Sequence, residues 1–148
     1  MILVKHVLEG ARKRLVVLNR EASIFDAATI LSNRDTPLAV VCDSDGVVLG
    51  VISQSHLVNA LATAGADALH LNAGAIMTKP LLSCQIEDPL EQVWTVMKSR
   101  ILPSAPILDK DGHAQGILHA RDVAIALIDE GTYEEGLLRD YVMGVGYQ

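Results

Sequence analysis

The sequence repeats itself. Shifting the chain by 66 positions lays its second half on its first, without a gap, over about fifty residues. Asp43-Ser44-Asp45-Gly46 falls on Asp109-Lys110-Asp111-Gly112, Gly50 on Gly116, Pro37 on Pro103, Arg34 on Arg100, and Ala60-Leu61 on Ala126-Leu127. Apolar character persists where identity is lost, as in Val51/Ile117 and Ile52/Leu118. Chance can supply one D-x-D-G pair but not a common register. The chain is therefore two copies of one supersecondary plan, neither able to bury its apolar face alone.

Both copies give the same order of elements. Residues 15–18 and 81–84 are apolar stretches too short for a helix and read as strands. A helix follows each. Ser23 is placed to cap the first, and Asp88-Pro89 offers an N-cap and a proline at the first helical position of the second. The helical stripes are Ile24, Ala27, Ala28 and Leu31 in one copy and Leu90, Val93, Trp94 and Met97 in the other. Beyond Pro37 or Pro103 come paired strands, 38–42 with 47–52 and 105–108 with 114–118. Each pair is joined by the D-x-D-G turn, because Asp and Gly tolerate positive φ. Helices over 54–64 and 120–130 close the units.

A β-α-β-β-α unit of this size has too few strands to stand alone. The predicted fold is thus α/β (α+β), two units packed sheet face to sheet face about a pseudo-twofold axis. Residues 1–64 form the first unit, 65–74 an Ala/Gly/Asp-rich surface linker, and 75–148 the second unit with its tail. That tail, with Leu137, Leu138, Tyr141 and Val142, is expected to complete the fold or an interface.

Composition narrows the function. Aromatics are only 3% of the 148 residues, so Val, Ile, Leu and Ala build the core. A net charge of −6 opposes nucleic acid as a partner. No apolar run approaches the ~20 residues of a membrane span, and charge interrupts the opening Met1–His6 too soon for a signal peptide. A cytoplasmic protein without membrane contact is expected. Cys42 and Cys84 lie in apolar stretches and read as buried free thiols, and the histidines show no metal-ligand spacing. No nucleophile is paired with a base and no Gly-rich loop precedes a helix, so no catalytic residue and no enzyme activity is expected. Arg12-Lys13-Arg14 reads as a solvated loop.

The second half runs from Ile76-Met77-Thr78 through Pro106-Ile107-Leu108-Asp109 to Gly116-Ile117-Leu118-His119-Ala120-Arg121-Asp122. It resembles a CBS (cystathionine β-synthase-type) domain. The first half repeats the pattern with Val40 in place of the proline and Gly50-Val51-Ile52-Ser53-Gln54-Ser55-His56 at its end. The resemblance covers nearly the whole chain and implies a tandem CBS pair of the stand-alone bacterial kind. It further implies a regulatory module, commonly a homodimer, that takes an adenosine-containing ligand (AMP, ADP, ATP, NAD or S-adenosylmethionine) in clefts between the halves. No cofactor is implied as a catalyst.

In the family motif a Ser or Thr caps the final helix and contacts phosphate or ribose, and an Asp three residues later holds the ribose hydroxyls. A helix N-terminus attracts phosphate and a carboxylate accepts from hydroxyls, so the pairing is chemically sound. Here the motif is split. Ser53 keeps the hydroxyl but His56 replaces the acid; Asp122 keeps the acid but His119 replaces the hydroxyl. By resemblance, Arg12 to Arg14 fall where family members place basic residues near phosphates. The expected binding site is the second cleft, with Asp122, Arg121 and His119 at the polar end and Leu82, Ser83, Ser104 and Ala105 against adenine. Ser53 and His56 mark the first cleft. Two functions fit: a nucleotide sensor regulating an enzyme or transporter in trans, or a dimeric adaptor indifferent to nucleotides.

Overall fold

The computed structural model describes residues 1–131, so the tail residues Leu137, Leu138, Tyr141 and Val142 lie outside the described part. A 3-10 turn (Val4–Val7) leads into α1 (Leu8–Lys13), β1 (Val17–Asn19), α2 (Ile24–Leu31), β2 (Leu38–Cys42), β3 (Val48–Ser53) and α3 (Gln54–Ala64). A second 3-10 turn (Gly65–His70) then precedes α4 (Ala73–Ile76), α5 (Leu90–Arg100), β4 (Ser104–Leu108), β5 (Ala114–His119) and α6 (Ala120–Asp129). Among the described residues no helix is long and apolar enough to cross a membrane.

The repeat register is kept in three dimensions. β1 runs parallel to β2, β2 antiparallel to β3, and β4 antiparallel to β5. Bulges interrupt the hairpins at the equivalent steps Val41/Cys42 and Ile107/Leu108. In both turns the first Asp folds back on its own loop. Asp43 Oδ1 accepts the Asp45 and Val47 N–H groups at 2.9 and 3.0 Å, and Asp109 Oδ1 accepts those of Asp111 and His113 at 2.9 Å. Gly46 and Gly112 then take φ of 83° and 86°, which a side chain would resist. The two turns meet. Val47 bridges to His113, its own equivalent, so the pseudo-twofold axis passes between them.

The second copy departs from the first at its leading strand. Strands were expected at 15–18 and 81–84; the first forms as Val17–Asn19, whereas in the second only Cys84 makes a parallel bridge, to Ile107. In the first copy Val40 N–H donates to Val16 O at 3.0 Å. Its equivalent is Pro106, which has no N–H to donate, so the ladder shortens. The caps differ too. Ser23 Oγ accepts Asp26 N–H at 3.0 Å as expected. Pro89, not Asp88, is the N-cap of α5, and Asp88 instead accepts the Gln85 N–H at 2.8 Å.

The helical stripes are buried apart from Ala28, which is half-buried. Leu38, Val40, Cys42, Val51 and Ile117 form the core shared between the halves. Both cysteines are buried and free, and burial pushes the Cys84 thiol up to about 12, so it packs as a small apolar group.

The stretch expected as a surface linker is folded. Ala68 and Ala73 are fully buried, and the segment docks on the first half through Ala73 N–H to Ala22 O at 2.8 Å and Gly74 N–H to Arg20 O at 2.7 Å. The chain's own start docks on the second half instead. Val4 N–H reaches Asp88 O and Lys5 N–H reaches Ile86 O, both at 2.9 Å, while Val4 and Ala11 join the core of Trp94 and Leu127. Each half is thereby completed by a segment that the sequence attaches to the other side.

These segments cross the strands over glycine. Thr78 and Val51 exchange backbone hydrogen bonds at 2.8 and 3.0 Å, and a Cβ on Gly50 would lie 2.9 Å from Thr78 O. A Cβ on Gly116 would lie 2.8 Å from the Ala11 carbonyl carbon. Gly50→Ala and Gly116→Ala should each lower stability by about 1–3 kcal/mol, the usual range for overpacking. Urea midpoints unchanged from the parent protein would show that the crossings are not tight.

Candidate functional site

A cavity of about 450 Å³ opens between the two halves. Its walls are apolar: Pro37, Leu38 and Val51 from the first half, Leu82, Leu102 and Pro103 from the second. Its polar lining includes Ser53, His56, Thr78 and Ser104, with the exposed Arg34 and Lys79. The size and the mix of apolar walls with a few convergent polar groups suit a small organic ligand.

The sequence explains who meets here. The segment that crosses Gly50 continues through Thr78 and Lys79 to Leu82, carrying second-half residues to the Ser53 end of the first half. His56 sits one turn into α3. The Ser53 N–H donates to His56 Nδ1 at 2.8 Å, which leaves the ring proton on Nε2, and Nε2 faces Thr78 Oγ1 at 2.9 Å. Ser53 Oγ lies 2.8 Å from Ser55 Oγ and 3.0 Å from His56 Nδ1. Burial holds the His56 pKa below its ordinary value. The imidazole is thus a neutral, oriented donor.

The pseudo-symmetric cleft is different. It is lined by Gly10, Lys13, Arg14, Val16, Asp35 and Thr36 among others. The segment crossing Gly116 brings Arg14 onto Asp122, with Nη2 and Nε at 2.8 and 2.9 Å from the same carboxylate oxygen. His119 Nε2 is buried here without a hydrogen-bond partner among the described residues. Burial and the Arg14 charge lower the His119 pKa, against opposing pulls from Asp122 and Asp35.

The expected residues therefore regroup. Leu82 and Ser104 line a cavity with Ser53 and His56, not with Asp122. The exchange of leading segments is the cause. Ser83 is exposed and Ala105 fully buried, and neither lines that cavity, nor do Arg121, His119 and Asp122. Arg14, read as part of a solvated loop, is ion-paired. Sequence reasoning missed Thr78, Lys79 and Arg34 as site residues; the only signal was the position of Lys79 directly after the I-M-T motif. Asp109, Asp111 and His113 also come together, with ligand atoms within 4.8 Å of one another, but Asp109 and His113 are engaged in the turns: Asp109 Oδ1 holds the loop N–H groups and His113 Nε2 faces Asp45 O at 3.1 Å.

Both depressed histidines make the same contribution to stability against pH. The folded state favours neutral rings, whereas the unfolded ones titrate near their ordinary 6.5. Stability is complete above that value and is lost as pH falls through the lower folded values. Urea titrations between about pH 7 and 5 should show this decline, and His56→Gln and His119→Gln should each flatten it. A slope indifferent to both substitutions would exclude these rings as its source.

Comparison with known proteins follows the repeat. The family model described as the CBS domain matches residues 4–63 and again residues 73–129. The crystal structure of a CBS-domain containing protein from Agrobacterium tumefaciens is similar with a TM-score of 0.71 and 31% identity, covering 84% of this chain and 98% of that one. CBSX2, solved in complex with AMP, gives 0.73 at 22% identity, over 88% of this chain and 99% of its own. The CBS domain pair of protein MJ0100, solved with 5′-methylthioadenosine and S-adenosyl-L-methionine, gives 0.72 at 22% identity, over 88% and 98%. Two matched stretches, one per copy of the repeat, make this chain a member of the CBS-domain family, a tandem CBS pair.

Proposed function

We propose that the chain is a regulatory module that binds an adenosine-containing ligand in the cavity between its halves. The observation that carries this reading is the cavity itself, with apolar walls for a purine and an oriented donor set. AMP in CBSX2, and 5′-methylthioadenosine with S-adenosylmethionine in the MJ0100 pair, are the precedents for the ligand class. Ser53, His56 and Ser104 are assigned to the ribose and its substituents, and Leu82 to the base. Ligand binding signals through a homodimer, to an enzyme or transporter in trans. The exposed Val58 and Leu61, on successive turns of α3, support a subunit contact there. A ligand can shift such a dimer only by binding one packing more tightly than the other.

We assign the site to the first cleft rather than the second because Arg14 already occupies one oxygen of Asp122. With Nη2 and Nε both on Oδ2, a ribose hydroxyl takes that oxygen only in competition with Arg14. His119 and Arg121 stay with Asp122 as the polar groups of the second cleft. A nucleotide-independent adaptor is the competing reading.

Isothermal titration of ligand-free protein with AMP, ATP, NAD and S-adenosylmethionine separates the two. The expected result is one ligand per chain, lost on Leu82→Trp, which fills the cavity. Arg14→Ala should add a second, weaker site by releasing Asp122. Silence from all four compounds would favour the adaptor.

A further inference from the structure

The charges around the cavity are one-sided. Arg34, from the loop after α2, and Lys79, from the segment that crosses Gly50, line it from the two halves. Among the described residues neither makes an ion pair, and no Asp or Glu lines the cavity. His56 stands where an acid would balance them, and its outward nitrogen carries a proton. The remaining polar side chains are hydroxyls and the Gln54 amide, whose nitrogen is engaged with Leu31 O.

The other cleft is different: Arg100, the counterpart of Arg34, does not line it and donates to Leu81 O at 2.8 Å. Lys13 stands for Lys79 there, but Asp35 lines that cleft too, and Arg14 is spent on Asp122. In the first cleft the counterpart of Arg14 is Pro80, and the counterpart of Asp122 is His56. Cation without anion is thus a property of one cleft.

Resting on the adenosine reading above, we infer that this cavity selects a phosphorylated adenosine compound and discriminates against the cationic sulfonium of S-adenosylmethionine and against neutral nucleosides, with Arg34 and Lys79 as the specificity-determining residues. A phosphate offers only acceptors to a lining that offers mainly donors. Two unpaired, exposed cations attract it through a partly screened field, so each contributes roughly tenfold in affinity, and the preference weakens with salt. A sulfonium meets the same two charges as repulsion, with no carboxylate to offset them.

The test is isothermal titration of the full chain with adenosine, 5′-methylthioadenosine, S-adenosylmethionine, AMP and ATP, at low and high salt. AMP and ATP are expected to bind at least roughly tenfold more tightly than adenosine, with S-adenosylmethionine weakest and the gap narrowing at high salt. Arg34→Ala and Lys79→Ala should each reduce the AMP-to-adenosine affinity ratio about tenfold, and Lys79→Arg should restore it. Both side chains are exposed, so the variants are expected to fold, which urea midpoints check. Adenosine or 5′-methylthioadenosine binding as well as AMP, or a ratio unmoved in both alanine variants, overturns the selectivity while leaving the adenosine reading standing. Failure of every compound to bind overturns both.

Discussion

Two backbone crossings, over Gly50 and over Gly116, organise the molecule. At each one a segment of the partner half passes within about 3 Å of where a Cβ would be, and only the missing side chain lets it through. The crossing over Gly50 fixes Thr78 against Val51 and delivers Lys79 and Leu82 to the cavity. The crossing over Gly116 delivers Arg14 to Asp122. Both clefts are therefore defined by which residues happen to follow a glycine-permitted contact. Loosening either contact would move a functional group as well as a packing one.

Because the two crossings are related by the repeat, small sequence differences between them have large consequences. Arg14 and Pro80 occupy equivalent positions, as do Asp122 and His56. One cleft acquires an ion pair between Arg14 and Asp122. The other acquires a neutral imidazole, tied through its backbone neighbour, and keeps its cations unmatched. A duplicated architecture has in this way produced two electrostatically different surroundings from a handful of substitutions.

The fold was legible in the sequence to the extent that it depends on periodicity and register. The matched turns, the stripe through Trp94 and the Ser23 cap all follow from local chemistry, and all are present. What stayed hidden was non-local. Nothing in residues 1–13 announces that they pack against α5 and α6, since an apolar segment carries no label for its partner. The shortened strand at 81–84 could have been anticipated from Pro106, because a missing N–H is a fact of sequence. The sorting of site residues into clefts could not. Leu82 and Ser104 were placed with Asp122 because the motif is read half by half, whereas the exchanged segments join them to Ser53 and His56. Matching glycines in two strand interiors were the available hint.

The exchanged ends also set an order in time. During synthesis the strands of the first half emerge early, and the segment that completes them, residues 73–78, follows directly. Residues 1–13 are made ahead of the first half's strands but dock on α5, β5 and α6, far later in the chain. At about 5–20 residues per second, those hundred or so intervening residues take roughly 5–20 s to make. For that interval Val4, fully buried in the finished protein, has no place to go. A segment made ahead of the first half is seated only once the second half has arrived.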